Sequence, residues 1–495
     1  MTRLFRIAPG ILAGSFLMIV AFLTWKKFQF LFPFLGIVSI ASFSVICAIY
    51  LYDFLIICLF LSLPFSLNII FDSFGTGIIF PSELIVGMLA LAFFIRFMFI
   101  DKGGLSREFL LHPLTIMVSL YFLVLFATAI FSTMPLVSLK SVIVRFCYLC
   151  VFYFVMHGYF RKPAGRFSTA LNVFGFPLVA IVIYILINHM HLGLNKNTAP
   201  GAVQPFFNDH TIYSATLVFI LPFFIYRAFS NDFQKQRGPM RIFYFLGSVI
   251  FLVGIYFSYC RAAWISVMVA IIILLLIKTS LRLRGFLISI TLLIFLGWLY
   301  YDPMIVAFRQ NKVESSAHNA GFFEQTRSIT NMTSDASNAE RLNRWSCALR
   351  MFKDRPILGF GPGTFQFQYI GYQRQQEMTR ISVSTPYVYE FGKGGTAHSE
   401  YFLALSESGL FSFLLYVSLL IATLFFGLRL VDRAPQQRLR NMAAIVMVGL
   451  MTYFTHSLFN NFLDNAKLAF LFWASLSWLA TVDLMVKKGI ADESA

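Results

Sequence analysis

Three arginines and a histidine stand out in a chain that otherwise carries little charge: Arg261, Arg341, Arg344 and His398. A guanidinium presents a planar fork of donors suited to the oxygens of a diphosphate. An imidazole, with an unperturbed pKa near about 6.5, suits taking a proton from a hydroxyl. Arg261 stands in Ser258-Tyr259-Cys260-Arg261-Ala262-Ala263-Trp264, at a junction between two apolar runs. It reads either as a snorkelling anchor or as an anion ligand. Arg341 and Arg344 precede Trp345 on an expected helix, where the bland alternative is a solvated basic face. Arg341 lies near that helix's N-terminus, where the macrodipole also favours an anion. His398 lies in Thr396-Ala397-His398-Ser399-Glu400-Tyr401, where polar sequence gives way to an apolar run. Glu400 either orients the imidazole or caps the following helix. His210, in Phe207-Asn208-Asp209-His210, is a weaker candidate for substrate contact.

Other motifs lose their first appeal on inspection. Gly359-x-Gly361-x-Gly363 follows a helix rather than a strand and is interrupted by Pro362, so it is a tight turn and not a dinucleotide loop. Cys147-x-x-Cys150 falls inside an apolar run and reads as packing, as do Cys47 and Cys58, while Cys260 and Cys347 are expected near the surface. No carboxylate pair or His/Cys cluster has metal-ligand spacing, so no metal or other cofactor is expected.

The elements that must position these residues are transmembrane. Of 495 residues, 58% are hydrophobic and only 12% charged, with mean hydropathy +0.75, where soluble domains carry about 25% charged residues. A span needs about 20 apolar residues. On that basis candidate spans fall near 8–25, 28–49, 51–70, 83–100, 113–132, 143–160, 167–188, 211–229, 241–259, 262–278, 284–301, 402–428, 442–460 and 466–485. The fold class is therefore all-α and polytopic, with about 12–14 transmembrane helices and one large extramembrane loop containing short amphipathic helices. No cleavable signal peptide is expected, because Trp25-Lys26-Lys27 follows the first span without a small-residue cleavage site.

The net charge of +17 invites a nucleic-acid partner, but the charge distribution excludes it. Lys and Arg concentrate in alternate short loops, as the positive-inside rule requires. Arg96, Arg107, Arg161, Arg166, Arg227, Arg241, Lys278, Arg429, Arg433, Arg438, Arg440, Lys487 and Lys488 fall on the expected cytoplasmic side. That assigns Arg261, the 189–210 segment and the long loop to the opposite face. Within the loop, 310–337 is rich in Ser, Asn and Thr, and 366–396 is loop-like. Between them, Ser337 or Asn338 is expected to cap a surface helix to Arg355, with Leu342, Trp345, Leu349 and Phe352 as its apolar stripe.

SYCRAAW (Ser258–Trp264), ERLNRWSCALRMFKDRPILGFGPGTF (Glu340–Phe365) and AHSEYFLALSESGLF (Ala397–Phe411) together resemble the O-antigen ligase and polymerase-like family of bacterial membrane glycosyltransferases. The resemblance covers roughly residues 200–475. It implies a GT-C-like, metal-independent architecture in the bacterial inner membrane with its active site facing the periplasm. By that likeness, Arg261 and Arg341 hold the diphosphate of an undecaprenyl-diphosphate-linked glycan donor, with Arg344, His210 and Glu400 as further substrate contacts. His398 is implied as the essential catalytic residue. The acceptor stays open: lipid A-core, a growing glycan, or a protein side chain. The organisation expected is N-terminal transmembrane helices over 1–200, the core helices over 201–301, the periplasmic loop over 302–400, and C-terminal helices with a short cytoplasmic tail over 401–495. A lipid-linked glycan flippase or transporter is the alternative of another class. It would carry ionisable residues deep in its spans, and here Arg145 and Glu407 are the main exceptions to uncharged span centres.

Overall fold

The computed structural model describes residues 50–71, 76–100, 105–161, 166–230, 238–278, 336–375 and 395–489, with position 377 and a few positions between 39 and 46. The expected spans at 8–25 and 284–301, nearly all of that at 28–49, the polar stretch before residue 336 and most of 376–394 lie outside the described residues. The chain forms α1 (Tyr52–Phe65), a hairpin of β1 (Leu67–Phe71) and β2 (Thr76–Phe80), α2 (Ser82–Phe99), α3 (Pro113–Ile130), α4 (Pro135–Phe160), α5 (Arg166–His191), α6 (His210–Phe229), α7 (Gly238–Phe257), α8 (Arg261–Lys278), α9 (Ala336–Asp354), α10 (Glu400–Arg433), α11 (Gln437–His456) and α12 (Ala466–Lys487). Among the described residues, 8 helices are long and apolar enough to cross a membrane: α2 to α7, α10 and α12. The protein is an all-α polytopic membrane protein.

Every expected span from 51 onward that falls on described residues has a helix at its place, with two differences in extent. The span expected over 51–70 stops at Phe65, and the chain turns into the antiparallel hairpin, Leu67 opposite Phe80. The Ile-Ile-Phe runs of both strands, β-branched and aromatic, suit a strand as well as a span. The helix expected from 143 begins at Pro135, because Ser138, Lys140, Ser141 and Arg145 depress the hydropathy of turns that are nonetheless helical.

Helix α12 is the post around which the others pack, and 89% of its most apolar window is buried. A helix apolar on all sides belongs in an interior. It also repairs a defect in α4. Residues Cys150–Val155 there form a π-helical stretch, and Ser477 Oγ donates to the Tyr153 carbonyl at 2.7 Å. At one end of the bundle, called the lower end, Asp483 of α12 pairs with Lys487 (2.7 Å), His112 (3.1 Å) and Arg429 (3.2 Å). At the upper end, Lys467 donates to the carbonyls of Ser66 (3.2 Å) and Phe206 and sits over the Phe207 ring. Removing one side of a buried ionic cluster costs about 3–5 kcal/mol. Asp483→Ala should therefore lower thermal stability in detergent sharply, and wild-type resistance to heat-induced aggregation would contradict the assignment.

The basic segments of the alternate loops gather at the lower end, where Lys488 meets Glu108 (3.0 Å) and Arg166 meets Asp53 (3.1 Å). The candidate residues gather at the upper end. There the Gly359–Gly363 turn docks on α10. Phe360 N–H donates to Ser406 O (3.1 Å), Gly361 N–H to Glu407 O (2.7 Å), and Leu410 N–H to Pro356 O (2.8 Å). Gly409 breaks α10 at this point with φ 75°, and a Cβ there would strike the Ile357 carbonyl. A Cβ on Gly361 would strike Ser132. The glycines thus permit close approach of two backbones, in keeping with a turn and not a nucleotide loop.

Helix α9 begins at Ala336, earlier than the expected cap, so Ser337 and Asn338 lie inside it. Its packed face is also not the expected one. Asn343, Arg344, Cys347, Ala348 and Met351 are buried, whereas Leu349 is exposed and Leu342, Trp345 and Phe352 are half-buried. The small residues allow close packing against Phe360, Phe365, Tyr369, Ala397 and Leu403. The segment from 366, expected as loop, starts with helical turns at Phe365–Gln368 and Tyr369–Tyr372.

Candidate active site

His398 is held from both sides. Before it, Thr396 offers its carbonyl to Arg344 Nη1 (2.8 Å) and its hydroxyl to Asn461 Oδ1 (2.5 Å). After it, Ser399 Oγ (3.3 Å) and Glu400 N–H (3.0 Å) both donate to the Ser457 carbonyl at the end of α11. Between these anchors His398 adopts φ 48°, a left-handed conformation that costs a non-glycine residue about 1–2 kcal/mol. Such a conformation persists only where the surroundings over-determine it.

The bland alternative for Arg344, a solvated basic face, does not hold. Its side chain is 9% exposed, its Nε donates to Glu340 at 2.8 Å, and its guanidinium lies over the Tyr369 ring. The i,i+4 spacing on α9 brings the pair together, and burial makes it matter. Glu400 is similarly engaged. Its Oε1 accepts from Phe462 N–H (2.8 Å), Leu463 N–H (3.0 Å) and Tyr453 O–H (3.1 Å), tying α10 to α11 and to the turn before α12. It neither touches His398 through these bonds nor caps its own helix.

Arg341 sits where four segments meet. Its charge acts on His398, on Cys260 and on His456, as does that of Asp209. Cys260 Sγ lies 3.9 Å from His456 Nε2, which joins the α7–α8 turn to the end of α11. Asp209 caps α6 by accepting from Thr211 N–H (2.9 Å), and His210 pairs with it at 2.8 Å. Burial works to raise the Asp209 carboxyl, and His210 with Thr211 overrides it, holding the group below the ordinary carboxylate range. Burial first, then Arg344 and Arg341, push the His398 pKa down to about 3, against the opposing pull of Asp209. The imidazole is neutral at ordinary pH and so has a lone pair available.

Arg261 is the first residue of α8, directly after Cys260. The turn before it is set by Tyr259, at φ 52°, whose hydroxyl donates to Leu194 O (2.5 Å), and by Trp264 Nε1 donating to Ile255 O (3.2 Å). The structure thus brings His398, Arg341, His210 and the Cys260–Arg261 turn to one upper rim. It gives Arg344 and Glu400 to the frame behind it. Asp209 and His456 complete the rim and were not singled out from sequence. Asp209 stood beside His210 in the quoted segment, whereas His456, ending an apolar run, gave no signal distinct from packing. Among the described residues, no group of three or more His, Cys, Asp or Glu side chains could hold a metal ion. An apolar crevice of about 930 Å³ between α6, α8, α10 and α11 opens at the lower end, away from this chemistry.

A neutral imidazole beside arginines can take a proton from a hydroxyl while the guanidinium groups hold an anionic leaving group. The sequence model of the O-antigen ligase family matches residues 246–417, a stretch that includes Arg261, Arg341, Arg344, His398 and Glu400 but not His210 or His456. No curated protein matches the chain. Residues 246–417, on a polytopic helical frame, are thus similar in sequence to the O-antigen ligase family.

Proposed function

We propose that the protein transfers a glycan from undecaprenyl diphosphate to an acceptor hydroxyl at the periplasmic face of the inner membrane, without a metal. The observation that carries this reading is the meeting of His398 with Arg341 and Asp209 at one rim, from segments far apart in sequence, with both His398 and Arg341 inside the O-antigen ligase match. In the reaction, the acceptor oxygen attacks the anomeric carbon as the bond to the diphosphate oxygen breaks, with inversion. The diphosphate leaves with the electron pair, and Arg341 and Arg261 neutralise the charge it gains. His398 accepts the hydroxyl proton. Arg344, Glu400 and His210 act behind these groups: Arg344 and Glu400 hold the His398 turn, and His210 keeps Asp209 ionised.

Ligase chemistry onto lipid A-core is the leading version, and a polymerase or protein O-oligosaccharyltransferase uses the same donor geometry. A flippase is less favoured, because the rim unites a base and anion ligands at one end of the bundle instead of spacing charges along a path. The glycan profile of a deletion strain separates these. Loss of polysaccharide from lipid A-core indicates a ligase, shortening to one repeat a polymerase, and unaltered surface glycan overturns the proposal. Purified protein should transfer glycan in EDTA without ATP; loss in chelator restored by a divalent ion would reject the arginine clamp.

The depressed His398 pKa makes a further prediction. A base must be neutral to accept a proton, and kcat/KM reports the free enzyme. Because the folded pKa lies below the ordinary value, protonation should not impair kcat/KM as pH falls from about 8 to about 5. An acid limb centred at or above about 6.5, absent from a His210→Asn control, would contradict this environment for His398.

A further inference from the structure

The apolar crevice of about 930 Å³ in the lower half of the bundle has no part in the chemistry of the upper rim. Its walls include Leu221 and Ile225 of α6, Ile271 and Leu274 of α8, and Ala444 and Ile445 of α11. Ile225 (40%), Ile271 (53%) and Leu274 (36%) stay exposed, so the described residues leave an apolar surface uncovered between helices that adjoin hydrocarbon. Along α6 the lining runs from Val218 to Ser230, about 18 Å at about 1.5 Å per residue. One leaflet of hydrocarbon is about 15 Å deep, half of a core of about 30 Å. The crevice is one leaflet deep, and it stops about two turns of α6 short of His210 at the upper rim.

The lower end of the crevice is polar. Ser230, Gln437, Arg440 and Asn441 line it there, and no acidic side chain is among its described lining residues. Arg440 Nε donates to the Ala434 carbonyl at 2.6 Å, which holds the guanidinium in place and uses one of its five N–H donors. Arg440 also stands in the first turn of α11, where the helix dipole favours an anion.

We propose that this crevice binds one anionic phospholipid of the leaflet at the lower end, with its acyl chains against α6 and α8 and its phosphate at Arg440. Apolar walls of leaflet depth select hydrocarbon over water. Basic pockets between transmembrane helices, on the side where basic loops gather, suit anionic headgroups. A zwitterionic phospholipid also carries a phosphate, but its ammonium group would meet Arg440 with no carboxylate in the lining to receive it. The polyprenyl chain of the proposed donor fits less well, because its diphosphate belongs to the upper rim and the crevice ends short of that rim. The site does not depend on the reaction proposed above. Its lipid joins α6, α8 and α11, and a ligand bound only by the folded state raises stability.

The test uses delipidated full-length protein in detergent. Native mass spectrometry follows titration with dioleoyl-phosphatidylglycerol, dioleoyl-phosphatidylcholine or undecaprenyl phosphate. Wild-type protein should retain one phosphatidylglycerol in preference to phosphatidylcholine, and its melting temperature should rise as phosphatidylglycerol is added. Arg440→Gln should weaken phosphatidylglycerol binding about tenfold, as loss of a charge-assisted hydrogen bond implies, whereas Arg440→Lys should keep most of the preference. Ala444→Phe narrows the apolar part and should weaken both phospholipids. Gln437→Glu places a carboxylate at the polar end and should abolish the preference. Gln437 is exposed and opens α11, where an acidic residue favours the helix, so this variant carries the test even if Arg440→Gln does not fold. Equal binding of the two phospholipids, unaltered in Arg440→Gln and Gln437→Glu, would mean nonspecific hydrocarbon contact and overturn the proposal. Preferential binding of undecaprenyl phosphate, lost in Ala444→Phe, would give the crevice to the donor chain and overturn it too. Wild-type protein that retains no lipid would show that protein covers the crevice, with the same consequence.

Discussion

His398→Ala should reduce glycan transfer by about 10²- to 10⁴-fold, the usual contribution of a positioned base, while leaving binding of undecaprenyl diphosphate nearly intact. In the proposed reaction the imidazole meets the acceptor hydroxyl and guanidinium groups hold the diphosphate, so the two functions should separate. Arg341→Lys provides the opposite pattern. An ammonium retains the charge but loses the planar fork. Donor affinity should then fall by about 1.5–3 kcal/mol, or roughly 10- to 150-fold. His398 is held by its backbone neighbours and not by its own ring, since Thr396 and Ser399 carry the anchoring bonds. Truncating the ring should therefore leave the turn in place and the melting temperature little changed. Wild-type transfer by both His398→Ala and Arg341→Ala proteins at normal expression would show that these residues are structural.

How much of this could be read from sequence depended on which physical signal each element carries. Long apolar runs identify spans directly, which is why α5, α6, α7 and α12 lie where expected. The break in α10 was hidden because Ser406-Glu407-Ser408-Gly409 reads as ordinary helix, and only its contact with the Pro356–Gly361 backbone makes φ 75° at Gly409 favourable. The early start of α4 was hidden by the polar residues that face that same turn, Ser138 and Ser141 among them. On α9 the large apolar residues mark a stripe for the bilayer surface; that such a stripe is also the protein-packed face is a rule that holds when the alternative surroundings are water. Next to a membrane it loses force, and Cys347, Ala348 and Met351 form the packed side because small side chains admit close approach.

The site shows the same division. His398 stood out as an imidazole where polar sequence gives way to an apolar run, and Arg341 as a guanidinium near the start of an expected helix. The partners that fix them were not, because a partner is a property of the fold. Asp209 and His456 come from α6 and α11, and no spacing in the sequence ties them to residue 341 or 398.

Arg344→Ala should be severe, contrary to what a solvated basic face implies. The substitution leaves the Glu340 carboxylate, 6% exposed, without its 2.8 Å guanidinium, and it removes the bond to the Thr396 carbonyl. Loss of one member of a buried pair costs about 3–5 kcal/mol, which should appear as a marked fall in melting temperature. Transfer should fall as well, by on the order of 10²-fold, because a displacement of about 1 Å in a catalytic group costs that much and Thr396 is one of the two anchors of the His398 turn. Stability and positioning can be separated with a second variant. Glu340→Gln together with Arg344→Met replaces the pair by neutral side chains of similar length, and such replacements are often close to neutral for stability. That double variant should regain much of the melting temperature yet remain slow in transfer, since no donor reaches Thr396. Donor binding should stay near wild type in the double variant if Arg344 acts on the turn and not on the diphosphate. A double variant with wild-type kcat would show that the Arg344 to Thr396 bond does not position His398, and a selective loss of donor binding would make Arg344 a substrate contact instead.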